Sequence, residues 1–347
     1  MTQKNIEFPR SRRAFTKAVG TGVIASTAGC LGSVTGSEYP SESITFTVPY
    51  GAGGGFDRYS RIIAKHLEDR FDVEVPVRNE PGAGGVVGLE SVSQSDPDGY
   101  TISTFAAEFI SFFQQIRDVN FDVTEMTYYG QYASTQYVLV VPADSDIETV
   151  DDFVARVEDR DIDVGVDIPQ GDGLYLGIWG EITGLYPGVN VMENLLPYEG
   201  TSSIVPAMEQ GEVDATIRSV ASMRQWVEDG TLRPLLVGTT GDPPSAFSNA
   251  ETFGTLGVNN ADAASQVTFQ TRPIVGPPDV PDEHVETLGD AILDVVESDG
   301  YERDVADAEL TYGEFADGEG AKEAVRNKAD QWSEYLDEAE KLLGALD

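Results

Sequence analysis

Four glycines fall within five positions, at Gly51, Gly53, Gly54 and Gly55, between the apolar run ITFTVPY and the helix-like stretch RYSRIIAKHLEDR. A second cluster, Gly82, Ala83, Gly84 and Gly85, stands in EPGAGG between VEVPVRN and VVGLESVSQ. Both put bare backbone at the mouth of a helix. The first N–H groups of a helix have no internal partner, and the helix dipole adds partial positive charge there. Glycine lets several N–H groups converge and lets a ligand approach closely. The chemistry this suits is capture of an anion, either phosphate or carboxylate. A dinucleotide fingerprint needs G-x-G-x-x-G, and Phe56 and Val87 stand where the third glycine would be; neither cluster carries G-x-x-x-x-G-K-[ST]. Asp57 reads as a capping acid in the first turn of its helix.

These loops need a sheet to hold them. ITFTVPY, VEVPVRN and YTISTF read as strands, alternating with helices expected over about 57–70 and 86–94, with a turn at DPDG. YVLVVPADS, IDVGVDI, NLLPY, VDATIRS and LRPLLVGTT continue the alternation, and Thr149 reads as the N-cap of a helix with Asp151 and Asp152 in its first turn. Polar glycine loops recur at Gly171, Asp172 and Gly173 and at Gly200, Thr201 and Ser202. Residues 241–265 read as a long connection, VTFQTRPIVGPP as a further strand, and the chain from Asp282 as helical, ending in an amphipathic stretch from Gly320 to Leu346. The alternation implies an α/β fold of mostly parallel sheets flanked by helices. Glycine mouths at one edge of such a sheet face a single crevice.

The 347 residues suffice for two domains. Lys and Arg number 22 against 60 Asp and Glu, a net charge of -38 spread along the whole chain. So acidic a surface excludes nucleic-acid binding through a basic face. It suits a coat that stays soluble at high salt, where the Debye length is about 3 Å, and so a halophilic, haloarchaeon-like host. Cys30 is the only cysteine, and His66 and His284 are the only histidines, which leaves no Cys/His zinc site and no disulfide within the chain. SRRAFTK, with Arg12 and Arg13, followed by AVGTGVIASTAG and Cys30, resembles a twin-arginine export signal ending in a lipobox, with Thr27 where such signals usually carry Leu. Residues 1–29 are then the signal, Cys30 the lipidated residue, and 30–43 a tether. The protein is expected outside the cytoplasmic membrane, held to its outer face by lipid.

ITFTVPYGAGGGFDRYSRIIAKHLEDRF, followed by VRNEPGAGGVVGLESVSQSDPDGYTI, resembles the substrate-binding proteins of tripartite tricarboxylate transporters, the Bug receptors. The likeness resumes at GDGLYLGIWGEITG, LPYEGTSSIVPAMEQGEVDATI and VEDGTLRPLLVGTT. The resemblance implies the two-lobe clamshell of type II periplasmic binding proteins, with residues 44–140 plus 266–347 in one lobe and 141–265 in the other. It implies a monomer that holds a small carboxylate between the lobes, closes by hinge motion, and presents itself to the large and small subunits of a membrane permease. It implies no cofactor and no metal. The glycine loops, Tyr50, Gly51, Ala52, Gly53, Gly54, Gly55, Phe56 and Asp57 with Gly82, Ala83, Gly84 and Gly85, would hold one carboxylate, and Gly171–Gly173 and Gly200–Ser203 would serve from the second lobe.

Some positions depart from the family pattern. Ala106 and Ala107, then Glu108, stand where relatives carry a Thr-Ser pair, and Leu174, Tyr175 and Gly177 where they carry small hydroxyls and His. Arg218 stands where relatives have Asp. An arginine facing the crevice could grip a second carboxylate, favouring a di- or tricarboxylate, or it could pair with a neighbour such as Glu199 or Glu108. Tyr175, Phe56 and Leu174 could instead favour a ring acid.

An exported hydrolase is the rival from another class. His66 lies mid-helix, His284 opens a helix, and no G-x-S-x-G elbow is present. The aspartates at 159, 161 and 163 fail as a calcium loop, because Val164 and Gln170 replace the required Gly and Glu. The chain is therefore not expected to be an enzyme. A carboxylate sensor acting on a membrane signalling partner is the remaining alternative.

Overall fold

The computed structural model describes residues 39–344 apart from 168, 199, 309 and 311. The arginine pair, Cys30 and most of the tether lie outside the described residues. All that follows concerns the compact unit Ser37–Asp347.

The apolar runs become twelve strands in two six-stranded sheets. The first sheet contains β1 (Thr45–Val48), β2 (Val77–Asn79), β3 (Thr101–Thr104) and β4 (Thr127–Thr135). The chain then crosses to the second sheet for β5 (Tyr137–Pro142), β6 (Val164–Val166), β7 (Leu195–Pro197), β8 (Ala215–Ser219), β9 (Leu232–Val237) and β10 (Glu251–Thr252). It returns to the first for β11 (Gln270–Gly276) and β12 (Ala316–Asp317). The orders are β12-β4-β11-β3-β1-β2 and β10-β9-β5-β8-β6-β7.

Parallel pairing is confined to part of each sheet: β1 with β2 and β3, β6 with β7 and β8, and β9 with β10. The strand that arrives from the other sheet runs antiparallel to its neighbours, β5 between β8 and β9, and β11 between β3 and β4. The sheets are therefore mixed, not mostly parallel as expected. The cause is the direction in which each crossing strand enters, which an apolar run does not encode. Tyr137–Pro142 is central in the second sheet, between β8 and β9.

Phe46, Val48 and Ile102 of the first sheet and Val138, Val140 and Ile217 of the second are fully buried. Burying side chains of this size contributes roughly 1.5–3 kcal/mol each. Thr149 caps the Val150–Asp159 helix through a reciprocal pair with Asp152, as the spacing suggested. The connection read at 241–265 is more ordered than expected, with a short helix at Phe253–Leu256 and another at Ala261–Thr268.

Two helices fill the C-terminal stretch, Gly318–Ser333 and Leu336–Leu343. The second packs chiefly on the buried Leu174–Thr183 helix and also touches Ala107–Ile116. Leu342 lies over Gly177, where a Cβ would come 2.9 Å from its Cδ1, and Asn190 Nδ2 donates to the Leu342 carbonyl at 3.3 Å.

Candidate ligand-binding site

The loops after β1, β6, β7 and β8 open onto one cavity of about 840 Å³, with walls from both sheets. Tyr50, Gly51, Ala52, Gly53, Gly54, Gly55 and Phe56 line it on the first side, at the mouth of the Gly55–Phe71 helix. Tyr50 and Phe56 stack with ring centroids 4.3 Å apart, and the Tyr50 hydroxyl accepts from Ala106 N–H at 2.9 Å. Ala106 and Phe109 complete this wall.

Asp57 is buried and lies behind the loop. It accepts from Gly53 N–H at 2.9 Å, from Asn79 Nδ2 at 2.9 Å and from Arg61 Nε at 3.0 Å. Burial opposes its charge, but the hydrogen bonds from Arg61, Gly53 and Asn79 hold its carboxyl below the usual range. Its role is to tie the loop to its helix.

The second glycine cluster sits behind the same wall, and only Pro81 of that segment lines the cavity. Gly84 (φ +67°) and Gly85 (φ +106°) adopt backbone that L side chains rarely take, and a Cβ on Gly84 would come 2.4 Å from the Phe109 ring. A Cβ on Gly85 would meet the Tyr50 hydroxyl at 3.1 Å. Gly84 and Gly85 thus make room for two aromatic rings that face the cavity, while Gly82 packs against Val87 and neither it nor Ala83 lines the cavity. Ala107, Glu108, Gly173 and Leu174 are also buried away from it.

Beneath the first glycine loop lies Arg272, a residue the sequence reading missed. It is only 2% exposed and lines the cavity. A register shift separates it from Pro273, where β11 pairs with β4. A proline inside a paired strand is confined to such irregularities, and they re-aim side chains. Its Cζ lies 4.4 Å from the Phe56 ring centroid and 5.0 Å from that of Tyr59. Nε donates to Gln270 Oε1 at 2.7 Å, while Nη1 has no hydrogen-bond partner. Gln270 in turn donates to Tyr137 Oη at 2.8 Å and to Glu108 Oε1 at 3.2 Å. Burial pushes the Glu108 carboxyl up to about 7. The signal that could have found Arg272 is a lone cation in the strand-like run VTFQTRPIVG.

On the second side the cavity is lined by Gly171, Asp172, Tyr175, Gly200, Thr201, Ser202 and Arg218, and also by Asp167, Ser222, Gln225 and Trp226. Residues 169–173 wind as a single π-type turn, a form frequent at functional sites, before the Leu174–Thr183 helix. Arg218, 15% exposed, is not a free clamp. Nη1 donates to Asp172 Oδ2 at 2.8 Å, and Nη2 to Asp167 Oδ2 at 3.3 Å and to Thr201 Oγ1 at 3.4 Å. Burial opposes its charge, but Asp172 and Asp167 raise its pKa. Of the acidic neighbours expected, Glu108 instead accepts from Gln270 Nε2 and Thr271 N–H, and Glu199 lies outside the described residues. Asp167 Oδ1 also accepts from Gly200 N–H at 3.2 Å, ahead of the Thr201–Glu209 helix. Tyr175 and Tyr137 meet edge to face at 4.9 Å.

His66 binds Asp304 and His284 stacks on Tyr39, both away from the cavity. Among the described residues, no cluster of His, Cys, Asp and Glu could hold a metal ion.

The chain is 27% identical to Protein BugT of Bordetella pertussis over 239 residues, 68% of this chain and 72% of that one. It is 29% identical to the UPF0065 protein in the gbd 5′ region of Cupriavidus necator over 308 residues, 85% and 88% of the two chains. Its fold matches that of periplasmic binding protein BugD with a TM-score of 0.73 at 18% identity, covering 87% of this chain and 98% of that one. It also matches MatC of Rhodopseudomonas palustris with bound malate (TM-score 0.71, 15% identity, 86% and 100% coverage) and an R. palustris protein with adipate (0.71, 21%, 89% and 98%). The family and these neighbours are binding proteins, not enzymes. A sequence model described as tripartite tricarboxylate transporter family receptor matches residues 59–332, and the chain belongs to that family.

Proposed function

We infer that this receptor captures a small organic carboxylate between its two lobes outside the cytoplasmic membrane and delivers it to a tripartite tricarboxylate-type permease with large and small membrane subunits. The observation that carries the reading is the cavity wall formed by the Gly51–Gly55 helix mouth over the buried guanidinium of Arg272. The N–H groups of a first turn and an arginine that has no carboxylate partner among the described residues together suit one anion. The malate- and adipate-bound neighbours support a carboxylate as that anion. A second carboxylate gripped by Arg218, the di- or tricarboxylate arrangement read from the sequence, would have to displace Asp167 and Asp172 from that guanidinium.

The paired arginines and Cys30 support export in the folded state and lipid anchoring on the outer face of the membrane, with the protein acting as a monomer. The net charge of -38 supports a high-salt setting. Thermal melts in high salt against mono-, di- and tricarboxylates test the central reading. A ligand at 100 times its dissociation constant should add about 2.7 kcal/mol of stability. If no carboxylate raises the melting temperature, the reading is wrong.

A further inference from the structure

The two walls of the cavity carry opposite charge. On the first, Arg272 is 2% exposed, its Nη1 has no hydrogen-bond partner, and no carboxylate among the described residues lies within ion-pair distance of it. The Gly55–Phe71 helix starts directly above it, so a cation and a positive dipole end stand together. On the second wall Arg218 is matched by two acids, Asp172 and Asp167. Asp167 sits where a ligand carboxylate would sit: one oxygen takes the Gly200 N–H and the other the Arg218 guanidinium. Its side chain is 37% exposed and faces the cavity. The second wall therefore already contains its own carboxylate and carries a net negative charge.

We propose that the ligand carries one carboxylate, held by Arg272 and the Gly51–Gly55 mouth, and that its far end is a hydrogen-bond donor such as an amide, hydroxyl or ammonium, with Asp167 rejecting a second carboxylate. This rests on the carboxylate reading above and narrows its substrate class. Like charges brought together inside a cavity are costly, and an internal acid at that position discriminates by repulsion. The neutral donor end gains the Asp167 oxygens as acceptors instead.

The test is titration calorimetry with matched pairs of one chain length each: succinate and succinamate, glutarate and glutaramate, adipate and adipamate. Each pair differs only in whether the far end is a carboxylate or an amide. The monoamide of the best-fitting length should bind at least about tenfold more tightly than its diacid. Asp167→Asn should shift that ratio toward the diacid by about tenfold or more. Arg272→Gln should weaken both members by about a hundredfold, with Arg272→Lys intermediate. A diacid that binds the wild type as tightly as its monoamide, or a ratio unmoved by Asp167→Asn, overturns the inference and leaves the carboxylate reading standing. If neither these acids nor any other carboxylate binds, the underlying reading fails instead.

Discussion

Gly55 and Arg272 compete for the same space: a Cβ on Gly55 would stand 3.2 Å from Nη1 and 3.3 Å from Nη2 of the buried guanidinium. The residue that opens the helix is also the roof over the cation. Gly55→Ala is therefore expected to separate fold from function. Alanine is a better helix former than glycine by about 1 kcal/mol, so the melting temperature should hold or rise. The added methyl should press the guanidinium away from the mouth and weaken carboxylate binding by about tenfold or more. Equal affinity in calorimetry, with the melt unchanged, would show that Arg272 does not serve the ligand.

Arg218 is expected to matter most for stability. Asp172 is only 6% exposed, and Arg218→Ala would take the guanidinium from its carboxylate while leaving that charge in a protein interior. Removing one partner of a buried pair costs about 3–5 kcal/mol, while the more exposed Asp167 adds little. Chemical denaturation should show that loss, and adding Asp172→Asn should restore part of it. A variant as stable as the wild type would mean that the ion pairs contribute nothing.

Glu108 gives a pH dependence with a defined sign. Its folded pKa of about 7 lies above the usual 4.5, so it binds its proton more tightly when folded. That contribution is full below about pH 4.5 and is lost as pH rises through 7. Glu108→Gln removes it. Across that window the variant should gain stability over the wild type by at most about 1.4 kcal/mol per pH unit. Buried Lys328, itself pushed down to about 8 by burial, holds the Glu108 pKa lower than burial alone would. Lys328→Met should therefore move the upper end of the window to higher pH. A difference that stays flat from pH 4.5 to 7 refutes the assignment.

Gly84→Ala should both destabilise the chain and weaken binding. Its φ of +67° is strained for alanine, and the methyl would land on Phe109, which lines the cavity. The cost is expected at about 1–3 kcal/mol, measurable by denaturant titration. Full stability with normal affinity would show that the second cluster has no packing role.

Much of this architecture is legible in the residues. The glycine runs marked helix mouths because the helical pattern begins directly after them, and the capping pair at Thr149 and Asp152 is set by local spacing. What is not legible depends on long-range placement. Gly51–Gly55 and Gly82–Gly85 look alike as strings, yet one lines the cavity and the other cushions Tyr50 and Phe109, because only the packed rings distinguish them. An acidic partner for Arg218 is conceivable from the sequence, but Asp167 and Asp172 are not identifiable as that partner because they are 51 and 46 residues away in the chain. Arg272 was overlooked because its strand reads as ordinary apolar filling, although a buried guanidinium always poses the question of its counter-charge.

The helix at Leu336–Leu343 sets an order of events. Every strand of the second sheet is contained between residues 137 and 252. Even so, the surface around Gly177 is covered only when Leu342 arrives, long after the last of those strands ends at Thr252. A chain without that helix therefore keeps an apolar strip of its second half open. The second half thus depends on a segment far from it in sequence, and truncation before Leu336 should expose the Leu174–Thr183 helix although every strand beneath it is intact.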